Sequence, residues 1–496
     1  MVESPSRDTF STAEPDLNKT PVLSAASLTG AVRRRWNVEH MKRTKLFYGW
    51  YIVLAGAGIG ALSSTLYGYG FSAFFIPWRN QFGWSRAALG GVIGLARLEG
   101  GIAAPVAGWC VDHFGPRRMM FAGMSIMGIG FIVLSRVSSL THLYLVFLLF
   151  IAVGSSFGTM RPLQVATANW FVRKRGRAMG LLMVGPGLGG SFVFLFAMLI
   201  DNVGWEKASI IAGFLILGIG LPLASIFRRR PEDMGLTPDG DTPVVDNLQL
   251  QPEEQVESLR DTDALSVMKK DSPIKQRHFW QRDDQPEFNL TTRQALRTQA
   301  FWILALTYAI WAAMPGITTV HLAPFLAEEL EIEYVTALAA LSFFVASSII
   351  GRIAFGFMAD YFDIRMIMSV LFILQGLGLF LFSEVHSLVA VPFYVVIFAI
   401  PYGGTIPMRS IVQGHFFGRK NFGTIGGFLQ FVDLPATVAA PIWVGWLADT
   451  FPDGYRLGFK IVALTMVVAA VSILFARRPR KPLPEVAPLT GTNRSV

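Results

Sequence analysis

About twelve long apolar stretches constrain the fold of this chain more than any other feature of its sequence. A helix of about 20 apolar residues is long enough to cross the ~30 Å hydrocarbon core of a bilayer. Inside that core a single segment satisfies its backbone hydrogen bonds only as a helix. The sequence therefore predicts an all-α membrane protein with twelve transmembrane helices. These helices are expected at 48–76, 87–111, 118–138, 142–170, 177–201, 206–227, 299–326, 335–359, 364–384, 388–415, 422–448 and 455–476.

The composition agrees with a membrane protein. Hydrophobic residues make up 52% of the 496 residues and charged residues only 16%, whereas soluble proteins carry about 25% charged residues. The net charge of +9 does not indicate nucleic-acid binding, because the basic residues fall in short clusters between apolar segments. With one cysteine, Cys110, the chain forms no internal disulfide.

Lys and Arg residues gather in alternate loops, a bias that sets the orientation of membrane proteins because basic loops stay in the cytoplasm. Basic clusters precede helix 1, follow helices 2, 4, 6 and 10, and follow helix 12. The other loops, such as those at 201–207 and 327–334, are acidic or nearly neutral. We therefore expect a multi-pass protein of the cell membrane with both termini in the cytoplasm.

Three polar segments flank or divide the apolar part. Residues 1–46 lack an apolar core followed by a cleavage site, so they are expected to form a disordered cytoplasmic tail rather than a signal peptide. Residues 229–297 are rich in Pro, Asp, Glu and Gln and are predicted to be a cytoplasmic linker. This linker would join two six-helix halves, 47–228 and 298–477, and residues 478–496 would form a second cytoplasmic tail.

An internal repeat relates the two halves. The segment GWCVDHFGPRRMM after helix 2 matches GFMADYFDIRMIM after helix 8 in the spacing of Gly, Asp and Arg. The segment NWFVRKRGRAMG after helix 4 likewise matches HFFGRKNFGTIGG after helix 10. Two parallel copies of a six-helix unit are therefore predicted. The matched residues of the first pair are Gly108, Asp112, Arg117, Gly356, Asp360 and Arg365.

These matched loops are predicted to act as a conformational latch. A small Gly lets two helices approach, and an Asp at a helix end can pair with an Arg or cap a neighbouring helix. The alternative is that the charges only mark the cytoplasmic side. Their occurrence twice at the same spacing favours the latch.

The same segments resemble a known family. GWCVDHFGPRR and its repeat are similar to the helix 2–3 loop motif of the major facilitator superfamily. YGWYIVLAG at the start of helix 1, WFVRKRGRAMGLLMVGPGLGG and RRRPEDMGLTPDG resemble the monocarboxylate transporters and the bacterial oxalate/formate antiporters. The resemblance implies two pseudo-symmetric halves around a central cavity and transport of a small organic anion by alternating access.

Ionisable residues between the ends of the predicted helices are few. Helices 3, 6, 9 and 12 have none near their centres, and in proteins that resemble this fold those four helices face lipid. A charged side chain near the bilayer centre is costly, so each one indicates a functional site. The residues are Arg97, Glu99, Arg161, His321, Arg352, Arg409 and Asp433.

Arg161 and Arg409 are the principal candidates for substrate binding. They occupy nearly equivalent places in the repeat, each near a proline, and lie about 18 Å and 15 Å from the basic loops that follow them, at 1.5 Å per residue. Two guanidinium groups in opposite halves could grip one carboxylate, because Arg presents a planar fork that matches this anion. The alternative is that Arg161 pairs permanently with Glu99 or Asp433.

Arg97, Arg352 and Tyr69 complete the predicted substrate-binding set. Arg352 stands where the resemblance to monocarboxylate transporters implies a substrate-pairing Arg, although many facilitators have a packing Arg there. Arg97 near the centre of helix 2 needs an anionic partner or a wet cavity, and Tyr69 could line such a cavity. The chain departs from the animal transporters at Ser348, where they carry an Asp, and lacks their helix 1 Lys.

Proton coupling needs a group whose affinity for a proton changes as the cavity opens and closes. Glu99, Asp433 and His321 are the candidates. The alternatives are that His321 only hydrogen-bonds within a helix pair and that either acid only neutralises an Arg.

The leading hypothesis is a secondary active transporter of a monocarboxylate-like organic anion, driven by a proton or by a counter-anion. An efflux transporter of amphipathic metabolites or drugs and a non-transporting ligand sensor are the alternatives. The sequence shows no motif of an enzyme, cofactor site or metal site, and nucleic acid is not an expected partner. We expect a monomer in the lipid bilayer.

Overall fold

Twelve helices long and apolar enough to cross a membrane are present in the described residues, 46–241 and 289–479, of the computed structural model. This confirms the predicted all-α membrane fold. The predicted tails, except for a few residues, and most of the predicted linker lie outside the described residues. The helices are α1 Tyr48–Phe82, α2 Arg86–Phe114, α3 Pro116–Leu134, α4 Leu140–Trp170, α5 Arg175–Val203, α6 Trp205–Ser225, α7 Gln299–Glu329, α8 Tyr334–Met358, α9 Ile364–Ser383, α10 Val391–Phe417, α11 Phe422–Thr450 and α12 Gly454–Phe475.

Local sequence explains where several helices begin and end. Ser85 caps α2 by accepting a hydrogen bond from the Ala88 amide at 3.1 Å, as Ser does at many helix N-termini. α1 continues six residues beyond the predicted end at 76 and ends at Gly83, whose φ of 69° suits a residue without Cβ. The end of the apolar stretch is therefore not the end of this helix. A short helix, Thr292–Leu296, precedes α7 and begins with a capping box formed by Thr291 and Gln294.

α4 breaks near its middle, and this break positions a candidate residue. Pro162 has no N–H to donate, and its ring clashes with the carbonyl of the preceding turn in a regular helix. The backbone leaves helical geometry at Thr159, with φ −117° and ψ −109°, and a new segment begins at Met160. Arg161 therefore lies in the first turn of that second segment.

The two halves pack through matched helix pairs, α2 with α11 and α5 with α8. Glycines permit the close approach: a Cβ on Gly108 would lie 2.0 Å from the Gly423 carbonyl oxygen, and a Cβ on Gly356 would lie 2.8 Å from Gly180 Cα. α3, α6, α9 and α12 carry large exposed apolar side chains, such as Phe214 of α6. An apolar surface of this kind is typical of helices that face lipid.

Polar contacts between the halves concentrate at one end of the bundle, where α2 and α4 end and where α5 and α11 begin. This end contains Asp112, Arg177, Asp360 and Arg419, and we call it the basic end. The halves are thus joined at the basic end in this conformation.

Candidate functional site

A chamber of about 650 Å³ lies between the halves, a size typical of small-molecule sites. Three arginines and one aspartate are among its lining residues: Arg97, Arg161, Arg409 and Asp433. Aromatic side chains also line it: Tyr67, Tyr69, Trp311 and Tyr402. The chamber therefore combines an excess of positive charge with apolar walls.

A second, smaller cavity of about 170 Å³ adjoins the chamber on the side of the basic end, and we call it the inner cavity. The two cavities share four lining residues: Arg161, Trp311, Arg409 and Gln430. The other residues that line the inner cavity include the polar side chains of Gln164, Ser410 and Gln413 as well as apolar ones such as Ile406 and Leu429. Arg161 and Arg409 therefore stand between a wide chamber and a narrow polar space.

Arg161 reaches across from α4 to α11. Its guanidinium donates to the Gln430 side-chain oxygen and, at 3.4 Å, to the Gly423 carbonyl oxygen. Neither partner is charged. Among the described residues Arg161 forms no ion pair with Glu99 or Asp433, the partners of the alternative considered above.

Arg409 has the opposite environment. Its Nη2 donates to the Asp433 Oδ2, and its guanidinium lies over the rings of Tyr308 and Trp311, 4.6 and 5.1 Å from their centroids. Such cation–π contacts stabilise a cation that has left water. Arg409 is therefore neutralised and fixed in position, although it lines the same space as Arg161.

Arg352 does not line the chamber. It is only 4% exposed and lies between α5 and α8, where it donates to the Met183 carbonyl oxygen at 2.6 Å and to Ser348 Oγ at 3.3 Å. Its Nε finds no hydrogen-bond partner among the described residues. In this conformation the structure places Arg352 behind the chamber wall, so any substrate contact requires a change of conformation.

The three candidates for proton coupling have different surroundings. Asp433 lines the chamber beside Arg409. Glu99 is not among the chamber-lining residues and accepts a hydrogen bond from Ser156 at 3.1 Å. His321 lies 2.7 Å from the Pro441 carbonyl oxygen through Nε2 and contacts the Tyr455 ring, which matches the alternative of a helix-pair hydrogen bond. Only Asp433 is thus brought to the arginine pair.

The predicted latch residues fall into two groups. Asp112 accepts hydrogen bonds from the Gly423 amide at 2.9 Å and from the Thr424 amide at 2.7 Å, at the start of α11. Asp360 accepts from the Gly176 amide at 2.8 Å, at the start of α5. Because unpaired N–H groups make a helix N-terminus positive, each carboxylate is stabilised there.

The arginines and glycines of the same motif act differently. Arg177 pairs with Asp360 at 3.0 Å, whereas Arg365 pairs with Asp363 of its own loop at 2.8 Å. Arg117 lies over the ring of Phe121 in its own helix. Gly108 and Gly356 allow the helix contacts described above. The aspartates and glycines therefore hold the halves together at the basic end.

Several lining residues escaped sequence reasoning because that reasoning followed ionisable groups. Gln430, Gln164, Gln413, Tyr308 and Trp311 carry no charge, and membrane helices contain many such side chains. One signal was available: Gln164 and Gln413 lie three and four residues after Arg161 and Arg409. At these spacings side chains share a helix face, so the repeat marks the amides as well as the arginines.

A family model described as Major Facilitator Superfamily matches residues 57–432 and 319–496 of the chain. The chain belongs to the major facilitator superfamily. The oxalate:formate antiporter of Oxalobacter formigenes is 25% identical over 484 residues, which cover 94% of this facilitator and 98% of the antiporter. Human monocarboxylate transporter 12 is 23% identical over 443 residues, 87% of this facilitator and 80% of the relative.

A solved structure shows the same fold. The human organic anion transporter MFSD10 covers 85% of this facilitator and 98% of its own chain, with a TM-score of 0.61 at 14% sequence identity. The resemblance inferred from the loop motifs is therefore confirmed. This facilitator is a multi-pass membrane protein and a secondary transporter, not an enzyme.

Proposed function

We propose that this facilitator carries a small monocarboxylate by alternating access and that Arg161 receives the carboxylate. One observation supports this most directly: Arg161 lines both cavities with neutral partners, while Arg409 beside it already has Asp433. A guanidinium held in a low-dielectric site, with no carboxylate paired to it among the described residues, favours an anion strongly. The planar guanidinium of Arg161 has the geometry to bind one carboxylate.

Substrate binding follows from the groups on the chamber wall. The substrate carboxylate replaces the Gln430 side-chain oxygen as a hydrogen-bond acceptor of Arg161. Because a charged acceptor binds a guanidinium more strongly than a neutral one, this exchange favours binding. Trp311 and Tyr69 provide an apolar surface for the remainder of the substrate. Arg97, an exposed side chain of the chamber, raises the local concentration of anions.

Asp433 is the group we assign to coupling. The charged groups nearest it are Arg409, with which it pairs, and Arg161. Protonation of Asp433 releases Arg409 to the substrate carboxylate, so a proton and the anion bind together. In an exchanger, the counter-anion takes the same place on the arginines.

The names of two relatives support this class of substrate. One exchanges oxalate and formate, and another is a monocarboxylate transporter.

For the orientation we propose that the basic end faces the cytoplasm, in accord with the distribution of Lys and Arg. Both termini then lie in the cytoplasm, and the chamber faces outward in this conformation. We propose the cell membrane as the location and a monomer as the functional unit, since one chain contains a complete chamber.

Uptake of radiolabelled carboxylates into proteoliposomes tests the proposal. A panel of mono- and dicarboxylates is compared for wild type, Arg161→Ala and Arg118→Ala, the last removing an exposed arginine outside the chamber. We expect uptake of at least one monocarboxylate that Arg161→Ala abolishes and Arg118→Ala preserves. Equal uptake by the two variants, or flux of no carboxylate in the panel, contradicts the proposal.

A further inference from the structure

The segment that follows α6 crosses the basic end, and we call its residues 228–241 the strap. Two side chains at the end of α4 hold its beginning. Trp170 Nε1 donates to the Arg228 carbonyl oxygen at 3.1 Å, and Asn169 Nδ2 donates to the Arg229 carbonyl oxygen at 3.3 Å. The strap thus begins on the N-terminal half.

Asp239 fixes the far end of the strap to the same half. Its carboxylate accepts hydrogen bonds from three successive backbone amides of the α4–α5 loop, Val172, Arg173 and Lys174, at 3.1, 2.8 and 2.9 Å. The residue is 4% exposed, and its φ of +62° is uncommon for a residue other than glycine. A carboxylate that receives three N–H groups makes a firm attachment.

The C-terminal half contains a counterpart of Asp239. Asn289 Oδ1 accepts from the amides of Arg419 and Lys420 at 2.9 and 3.0 Å. Those two residues correspond in the repeat to Arg173 and Lys174. The chain on each side of residues 242–288 is therefore attached in the same way to the basic loop of its own half.

One contact of the strap crosses between the halves. Glu232 Oε1 accepts from Arg419 Nη2 at 2.6 Å, and Arg419 Nη1 also donates to the Asn169 carbonyl oxygen at 2.9 Å. Separation of the halves at the basic end leaves the Asp239 and Asn289 attachments intact, because each lies within one half. The Glu232–Arg419 pair, in contrast, must break.

We propose that the strap is a conformational clasp, in which Glu232–Arg419 is the releasable contact and Asp239 and Asn289 are the fixed attachments. The clasp favours the conformation that is closed at the basic end. Because the side chains of Glu232 and Arg419 are 45% and 23% exposed, salt screens the pair. Loss of a half-exposed ion pair shifts the population of the open form by about two- to fivefold.

A thiol reporter measures the population that is open at the basic end. Since Cys110 is the single cysteine, Cys110→Ser gives a cysteine-free background. Ser410→Cys then places one thiol in the inner cavity, where Ser410 is buried and outside the lining of the chamber. A bulky maleimide added to the purified protein reaches this thiol when the basic end opens. The measurement needs no substrate, so it is independent of the proposed cargo.

Glu232→Gln is compared with Asp233→Asn, a matched neutralisation of the neighbouring exposed acid. We expect Glu232→Gln to speed labelling about two- to fivefold and Asp233→Asn to leave it unchanged. The double exchange Glu232→Arg with Arg419→Glu should label more slowly than Arg419→Glu alone, because it restores the ion pair although not the Arg419–Asn169 hydrogen bond. Equal rates for Glu232→Gln and Asp233→Asn overturn the proposal.

Cleavage of the chain separates the clasp from a simple tether. A protease site inserted within 242–288 is cut after folding, and labelling is measured again. We expect slow labelling to persist, since both attachments and the ion pair remain. Faster labelling on cleavage overturns the proposal, because the covalent linker would then be what keeps the basic end closed.

Discussion

Arg161 and Arg409 line the same two cavities, yet of these two arginines only Arg409 donates to a carboxylate of the described residues, that of Asp433. The repeat makes the two arginines near-equivalents in sequence, and the surrounding helices give them different partners. Arg409 is matched by Asp433 and two aromatic rings. Within the described part of the chain, the hydrogen-bond partners of Arg161 are Gln430 and a backbone carbonyl. We therefore assign anion binding to Arg161. Arg409 is the neighbour whose availability depends on the protonation of Asp433.

Replacement of Arg161 should therefore weaken substrate binding more than replacement of its partner Gln430 by another uncharged residue. Loss of a charge-assisted hydrogen bond costs about 1.5–3 kcal/mol, so Arg161→Ala should lower the affinity for a carboxylate about 10- to 100-fold. Gln430→Ala removes only the neutral acceptor and should preserve or improve affinity. Thermal-shift titration of the purified variants measures both, and equal affinities would contradict this assignment.

Neutralisation of Asp433 should uncouple transport from the proton gradient. In Asp433→Asn, position 433 cannot take up a proton, so uptake should no longer rise when the outer side is acidified. Removing one partner of a buried ion pair also costs about 3–5 kcal/mol of stability. Uptake at a series of outer pH values, in liposomes with and without a pH gradient, measures the coupling.

The double variant Arg409→Gln with Asp433→Asn is the control for that loss of stability, because it removes both charges together. It should unfold at a higher temperature than Asp433→Asn alone. Glu99→Gln serves as a second control, since Glu99 is not among the residues that line the chamber. Persistent proton-driven uptake in Asp433→Asn, with loss of it in Glu99→Gln, would transfer the coupling role to Glu99.

Much of this architecture could be predicted from the sequence because the bilayer imposes strong rules on it. Apolar length fixed the existence of the twelve helices, and the duplicated Gly–Asp–Arg spacing located Asp112 and Asp360 at the joint between the halves. The arginines of the cavity were predictable for the same reason: a charge at that depth is costly and therefore rare.

Pairing between distant side chains was not predictable in the same way. Nothing in one helix indicates that Asp433 turns to Arg409 rather than Arg161, since the choice depends on how α10 and α11 pack. Arg352 was expected in the cavity from a local motif, but the close α5–α8 contact places it behind the wall. Asp239 and Glu232 lie in a polar segment without periodicity, so their contacts emerge only in the folded chain.

The loop between α8 and α9 gives a prediction about pH. Asp363 caps α9 by accepting from the Arg365 amide at 2.8 Å. Burial alone would raise the pKa of Asp363, but hydrogen bonds from Arg365 outweigh it and hold the pKa below its usual value. A lowered pKa in the folded state adds stability above the unfolded pKa, and this stability is lost as the pH falls through the folded pKa.

Asp363→Ala should therefore lower the free energy of unfolding by about 1 kcal/mol at neutral pH, the usual cost of losing an N-cap. The gap between wild type and variant should narrow below about pH 4, where free Asp is protonated. Asp363→Asn retains a capping oxygen and is the matched control. Thermal unfolding in detergent across this pH range is the measurement, and a gap that widens in acid would refute the assignment.

Adding a single methyl group at Gly108 should open the basic end. A methyl group there would lie 2.0 Å from the Gly423 carbonyl oxygen, whereas one on Gly94 of the same helix meets no atom within 4 Å. The atoms that this methyl group would meet belong to the backbone of α11, which cannot move aside as the end of a flexible side chain can. Gly108→Ala must therefore push α2 away from α11. The displacement lengthens the hydrogen bonds from Gly423 and Thr424 to Asp112.

We expect faster maleimide labelling of the Ser410→Cys reporter in Gly108→Ala and an unchanged rate in Gly94→Ala. Labelling that is equally slow in both variants would show that the α2–α11 contact does not keep the basic end closed.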